Sequence, residues 1–163
     1  MDFEDLSVAS SDIADFLKSE EFHPDIVYTP GAKSAILAEL LSQKFTHEPL
    51  VVVGAMEWKG TGVNHFETGG SSVIDNNKWR IFIPDIVLAN KGRKIVLVDD
   101  IAMSGDGFSG VVANLISNGF KKENIKTSTL VCSSVAIASK KSPDYYWRKT
   151  DSTTYYFPWG KTR

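Results

Sequence analysis

The sequence predicts an α/β fold with a largely parallel sheet, and three observations predict it. Short apolar runs alternate with amphipathic helical periods over 163 residues, the length of one ordinary domain. No internal repeat or low-complexity linker interrupts that alternation. Two strand-to-helix turns, TPGAKS at 29–34 and DDIAMSGDG at 99–107, suit the ligand-binding edge of such a sheet, at the carboxyl ends of its strands near a switch in strand order.

Taken in order, residues 9–21 carry Ile13, Phe16 and Leu17 on one face and read as a first helix. The run 25–28 (DIVY) is a short strand, broken by the Pro-Gly turn at 29–34. Ile36, Leu37, Leu40, Leu41 and Phe45 lie at helical spacing over 35–45, and 50–56 (LVVVGAM) is a second strand. Residues 57–78 are rich in Gly, Ser, Asn and Thr without a sustained period, a loop long enough to be functional or mobile. Strands follow at 79–83 (WRIFI) and 94–98 (KIVLV). The next helix has Phe108, Val111, Val112, Leu115 and Ile116 on one stripe, with Gly119 placed to end it. A strand at 127–132 precedes an aromatic, turn-rich tail, 143–163, that forms short extra strands or a cap.

Composition excludes several classes. The chain is 42% hydrophobic and 23% charged with a net charge of -2, which gives no general affinity for nucleic acid or anionic membrane. No apolar run approaches a membrane span, and the acidic N-terminus is unlike a signal peptide. Cys132 is the only cysteine, so no internal disulfide forms and a cytoplasmic setting is expected; within TLVCS it reads as a small buried residue rather than a nucleophile.

Asp99 and Asp100 end an apolar run and are followed by Gly105, Gly107 and Gly110, with Ser104 and Ser109 between. A glycine turn opening a helix presents backbone N–H groups and the positive end of the helix dipole, an anion site that fits phosphate. The carboxylates accept hydrogen bonds from sugar hydroxyls or hold Mg²⁺ directly or through water. Because successive strand residues face opposite ways, either the strand ends at the pair or the two acids have different tasks. The alternative, an acidic strand end leading into a plain helix cap by Ser104 or Asp106, leaves the glycines unexplained. Acids for a ribose and its metal, then amides for a phosphate, describe a ribose 5-phosphate site.

The stretch 95–107, IVLVDDIAMSGDG, resembles the signature of the type I phosphoribosyltransferases: an apolar strand, two acids, a few small or apolar residues, then Thr/Ser-Gly. The segment 25–41 is similar to that family's first strand, pyrophosphate loop and helix, and the ending with PDYY (143–146) and TTYYFPWG (153–160) resembles the hood of its 6-oxopurine branch. The resemblance implies one phosphoribosyltransferase-like domain over 1–163: a core at about 9–135, a mobile loop at 57–78 and a hood at 140–163. It implies that Asp99 and Asp100 bind the ribose hydroxyls of phosphoribosyl pyrophosphate (PRPP) and, through water or PRPP, Mg²⁺. Ala102, Met103, Ser104, Gly105, Asp106, Gly107 and Phe108 would cradle the 5-phosphate. Gly31, Ala32 and Lys33 would meet the pyrophosphate, helped by Lys78 or Arg80. Thr154, Tyr155 and Met103 would lie against the base. A homodimer or tetramer is usual in such a family.

The chain also departs from that pattern. Met103 stands where the 6-oxopurine branch keeps an aspartate base, Gly107 replaces a threonine, Thr154 falls where an aromatic ring is expected, Gly160 replaces an acid after Pro-Trp, and a lysine expected near Cys132 is missing. Asp106 beside a phosphate is repulsive unless it points away. The expected function is Mg²⁺-dependent transfer of 5-phosphoribose from PRPP to a purine-like nucleobase with release of pyrophosphate, as in purine salvage. The alternative is a non-catalytic module that binds PRPP or a nucleoside monophosphate. A hydrolase reading lacks a water-activating base: His23, His47 and His65 read as solvated, with His65 inside the 57–78 loop.

Overall fold

The computed structural model describes residues 1–60, 66, 67 and 69–161. Helix α1 (Phe3–Ser19) starts well ahead of the boundary expected at residue 9. Asp2 and Asp5 form a reciprocal capping box, with Asp5 N donating to Asp2 Oδ1 (2.8 Å) and Asp2 N to Asp5 Oδ2 (3.1 Å). The serines at 7, 10 and 11 obscure the period there; the Ser10 and Ser11 hydroxyls bond back to the Ser7 carbonyl. Strand β1 (Ile26–Thr29) leads through a 3₁₀ turn (Ala32–Ser34) into α2 (Ala35–Ser42).

The run expected as one strand at 50–56 divides at Gly54 into β2 (Leu50–Val53) and β3 (Ala55–Trp58). A Cβ at Gly54 would lie 2.8 Å from the Tyr28 hydroxyl and 3.0 Å from the Phe82 carbonyl, so the chain turns there under close packing. Of the loop expected at 57–78, residues 61–65 and 68 lie outside the described residues, and strands form at both of its ends. Trp58 is still in β3, and β4 (Ser72–Asp75) pairs antiparallel with β5 (Trp79–Ile83), as does β3. These three strands form a separate sheet in the order β3-β5-β4. Hydrogen bonds across these strands stabilise them, a non-local signal that composition does not carry.

After α3 (Asp85–Leu88) comes β6 (Ile95–Ala102), then α4 (Asp106–Ser117), β7 (Ile125–Ser133), α5 (Ser134–Ala138) and β8 (Tyr145–Thr150). The central sheet has the order β2-β1-β6-β7-β8, all parallel. β8, within the span expected as the hood, thus joins the central sheet, and β9 (Tyr156–Phe157) and β10 (Gly160–Lys161) form a separate antiparallel hairpin. The exposed Arg148 and Lys149 on edge strand β8 oppose pairing with another chain.

Both faces of the central sheet are covered, which is why β6 begins with four consecutive apolar residues. Ile95 and Leu97 pack with Phe108, Val111 and Leu115 of α4 and with Trp79, Ile81 and Ile83 of the small sheet. Val96 and Val98 pack on the other side with Leu6, Ile13 and Leu17 of α1, Leu37 and Leu41 of α2, and Phe157 of the hairpin. Cys132 is fully buried in the first of these cores. Among the described residues no helix is long and apolar enough to cross a membrane.

Candidate functional site

The strand order reverses at β1 and β6. The chain passes from β1 outward to β2, returns to β6 on the other side of β1, and continues away through β7 and β8. The loops after β1 and β6 must diverge there, which opens a crevice at their carboxyl ends. A cavity of about 650 Å³ occupies that position.

The first wall is the loop after β1. The Thr29 hydroxyl donates to the Gly31 carbonyl (3.0 Å), and the chain then enters the 3₁₀ turn directly. Gly31, Ala32 and Lys33 line the cavity. Lys33 Nζ lies 3.4 Å from the Lys161 carbonyl of β10, which draws the hairpin toward this loop.

The second wall is β6 and the turn into α4. β6 does not stop before the acids but runs through them to Ala102, so Asp99 and Asp100 acquire different partners. Asp99 Oδ1 accepts from the Ser34 hydroxyl (2.6 Å) and the Asp100 amide (2.9 Å). Asp100 Oδ2 accepts from Trp159 Nε1 (3.1 Å), and the Trp159 ring stacks on Phe157 with centroids 5.2 Å apart. Both acids line the cavity. Burial, with the nearby Asp100 charge, pushes the Asp99 carboxyl up to about 7 against the opposing Ser34 hydrogen bond. Burial also raises Asp100, with the Trp159 hydrogen bond opposing. Two adjacent carboxylates held this way favour either a proton or a cation.

Gly105 adopts φ 77°, and a Cβ there would strike the Lys141 backbone. The Ser133 hydroxyl donates to the Met103 carbonyl and caps α5 by accepting from the Ala136 amide (3.2 Å). The turn is thus braced from behind while Ala102, Met103, Ser104, Gly105, Gly107 and Phe108 face the cavity. Asp106 does not. Its carboxylate accepts from the Ser104 hydroxyl (2.9 Å) and pairs with Lys141 Nζ (2.6 Å), which holds it below its ordinary range. The repulsion expected of Asp106 is relieved by that outward ion pair.

The third wall was largely missed by sequence reasoning. Gly54, Ala55, Met56, Trp58, Lys78 and Trp79 come from the small sheet and the turn before it. The detectable signal was two tryptophans inside an otherwise polar stretch; Trp58 and Trp79 are cross-strand partners.

Besides Asp106, three expected site residues lie outside the cavity lining. Arg80 donates to Glu57 Oε2 (3.0 Å), approaches Asp75 (3.7 Å) and sits over the Phe82 ring, so its charge is used inside the small sheet. The Thr154 carbonyl accepts from the Ser152 hydroxyl, and Tyr155 packs on Phe157 with centroids 5.0 Å apart. Tyr155 packs against the core that holds Phe157, and neither Tyr155 nor Thr154 lines the cavity, where the base was expected to meet them. His47 bonds the Pro24 carbonyl (2.8 Å), His23 is exposed, and neither lines the cavity; His65 lies outside the described residues.

No curated protein sequence matches the chain. Among solved structures it is similar to a purine phosphoribosyltransferase from Pyrococcus horikoshii, with a TM-score of 0.71 and 19% identity over 100% of this chain and 94% of that one. It is also similar to APRTase from Giardia lamblia complexed with 9-deazaadenine (TM-score 0.61, 12% identity, 90% of this chain and 80% of that one). A hypoxanthine phosphoribosyltransferase from Staphylococcus aureus follows, with a TM-score of 0.59 and 13% identity over 94% of this chain and 77% of that one. At these identities the likeness is one of fold. The family model for the phosphoribosyl transferase domain matches residues 7–162, and the chain belongs to that family.

Proposed function

We propose that this protein transfers 5-phosphoribose from PRPP to a nitrogen base of purine-like shape and releases pyrophosphate. The observation that carries this reading is the meeting of three parts in one cavity: the Gly31–Lys33 turn, the Asp99–Asp100 pair and the glycine turn into α4. Each suits one part of PRPP. The turn after β1 offers backbone amides and the Lys33 ammonium to the pyrophosphate. The acids accept from the ribose hydroxyls. Met103 to Phe108 offer amides at a helix N-terminus to the 5-phosphate.

The donor set also fits Mg²⁺. Among the described residues no cluster of three or more His, Cys, Asp or Glu exists, so a cation here would rest on Asp99 and Asp100 and keep its other positions for water and substrate oxygens, as Mg²⁺ prefers. The raised carboxylates accord with a site that gains from a cation. Bound there, Mg²⁺ would neutralise charge as it develops on the leaving pyrophosphate.

In the reaction a base nitrogen attacks the anomeric carbon, the bond to pyrophosphate breaks, and pyrophosphate leaves with the electron pair. The chain positions the two reactants and stabilises charge. Ser34 and Trp159 hold the two acids in place. Met103, Met56 and Trp58 give the cavity an apolar side suited to a flat heterocycle. Met103 accepts no proton, so the base nitrogen's proton passes to solvent or pyrophosphate.

The test is incubation with PRPP, Mg²⁺ and a panel of bases. Pyrophosphate release that depends on a purine-like base is expected; none with any base at high enzyme concentration removes the transferase reading. The binding-module reading rests on Met103, Gly107 and Gly160, and calorimetry identifies it as PRPP or nucleotide binding without turnover.

A further inference from the structure

The small sheet brings a lysine to the phosphate end of the cavity. The β4–β5 hairpin lies along α4 and runs against it. Ser72 and Asn114 exchange side-chain hydrogen bonds (3.2 and 3.0 Å), and a Cβ on Gly110 would lie 3.4 Å from Ile74 Cγ2. Two strand residues advance about 6.8 Å and four helix residues about 6 Å, so strand and helix keep pace. The hairpin's turn therefore comes level with residue 106, the first of α4. Asn76 Oδ1 fixes that turn by accepting from the Lys78 amide (2.8 Å) and the Trp79 amide (2.9 Å). Lys78 lines the cavity together with Ser104, Gly105 and Gly107.

Neighbouring cations are engaged elsewhere. Lys59 pairs with Asp75, Arg80 with Glu57, and Lys141 with Asp106. Among the described residues Lys78 has no such carboxylate partner. Lys141 is the main cause of the lowered Asp106 carboxyl, and the Lys78 charge adds to it through space.

We propose that Lys78 binds the 5-phosphate of PRPP from the side opposite the glycine-turn amides. The assignment rests on the PRPP reading above and adds one residue to it. A lysine ammonium suits this task, being a compact point charge on a flexible stem.

Calorimetry with two half-ligands, ribose 5-phosphate and inorganic pyrophosphate, each with Mg²⁺, tests it on the wild type, Lys78→Ala, Lys78→Gln and Lys78→Arg. Lys78 is exposed, so all four fold, and thermal midpoints check this. Lys78→Ala and Lys78→Gln should bind ribose 5-phosphate about tenfold to a hundredfold more weakly, the range for a lost charge-assisted hydrogen bond, with pyrophosphate affinity unchanged. Lys78→Arg should retain most of the affinity. Unchanged ribose 5-phosphate binding in Lys78→Ala overturns the assignment, whether or not pyrophosphate binding falls. If the wild type binds neither half-ligand, the PRPP reading itself fails and Lys78 falls with it.

Discussion

Two walls of one cavity are built in opposite ways. The wall of β1 and β6 is local: each functional group lies within a few residues of a strand end, as in the run from Asp99 to Phe108. The opposite side is assembled at a distance, from Met56, Trp58 and Lys78 in the small sheet, with Trp159 of the hairpin reaching Asp100. The local wall carries polar groups that suit a sugar phosphate. The distant one is mainly apolar and sets what else fits. The polar groups of the first wall are compact in sequence, and the apolar side opposite depends on tertiary packing.

The strongest way to sharpen that contrast is to neutralise the local wall. Asp99→Asn with Asp100→Asn should lower pyrophosphate release by about 10²–10³-fold, the scale of lost transition-state electrostatics. The thermal midpoint at pH 8 should stay level or rise, because two crowded buried charges are removed. An equal fall in activity and stability would mean that the acids serve the fold.

Arg80→Met addresses the distant wall. It leaves Glu57, whose side chain is only 9% exposed, without its guanidinium partner. Stability in urea should fall by roughly 3 kcal/mol. Affinity for pyrophosphate in the protein that remains folded should not change. A selective loss of pyrophosphate binding would return Arg80 to the site.

Trp159→Phe joins the two walls in one test. The ring stack on Phe157 is kept and the N–H to Asp100 is lost. Turnover should drop about tenfold, as for one hydrogen bond to a charged group. The acid limb of the pH profile should move upward, since Asp100 loses a bond that favours its ionised form. An unmoved profile would make Trp159 a packing residue only.

The effect that is most gradual is a slope. Asp99 is raised from 3.8 to about 7 in the folded chain, so between those values the folded state binds more protons than the unfolded one. Metal-free stability should therefore decline as pH rises from about 4 to about 7 and level off above, by less than about 1.4 kcal/mol per pH unit for a single group. Asp99→Asn should flatten that decline, and a slope identical to wild type would refute the cause.

Legibility followed the same divide. The parallel sheet, the turn after β1 and the acid-glycine run were readable because period and turn chemistry are local. The division at Gly54 was not, because it depends on Tyr28 and Phe82 packing against it. Nor was the small sheet, whose strands β3 and β4 pair across to β5 inside a Gly- and Asn-rich stretch. Tyr155 and Thr154 were placed by analogy of the tail, and neither lines the cavity. Trp159 gave no sign of its bond to Asp100 because the two lie 59 positions apart.

The central claim is that PRPP spans the crevice between β1 and β6. A crystal structure with PRPP and Mg²⁺ tests it most directly. The account predicts pyrophosphate at Gly31–Lys33, ribose hydroxyls on Asp99 and Asp100, and the 5-phosphate on the turn from Met103 to Phe108. A sugar phosphate bound in another place, or turned end for end in this cavity, would contradict it.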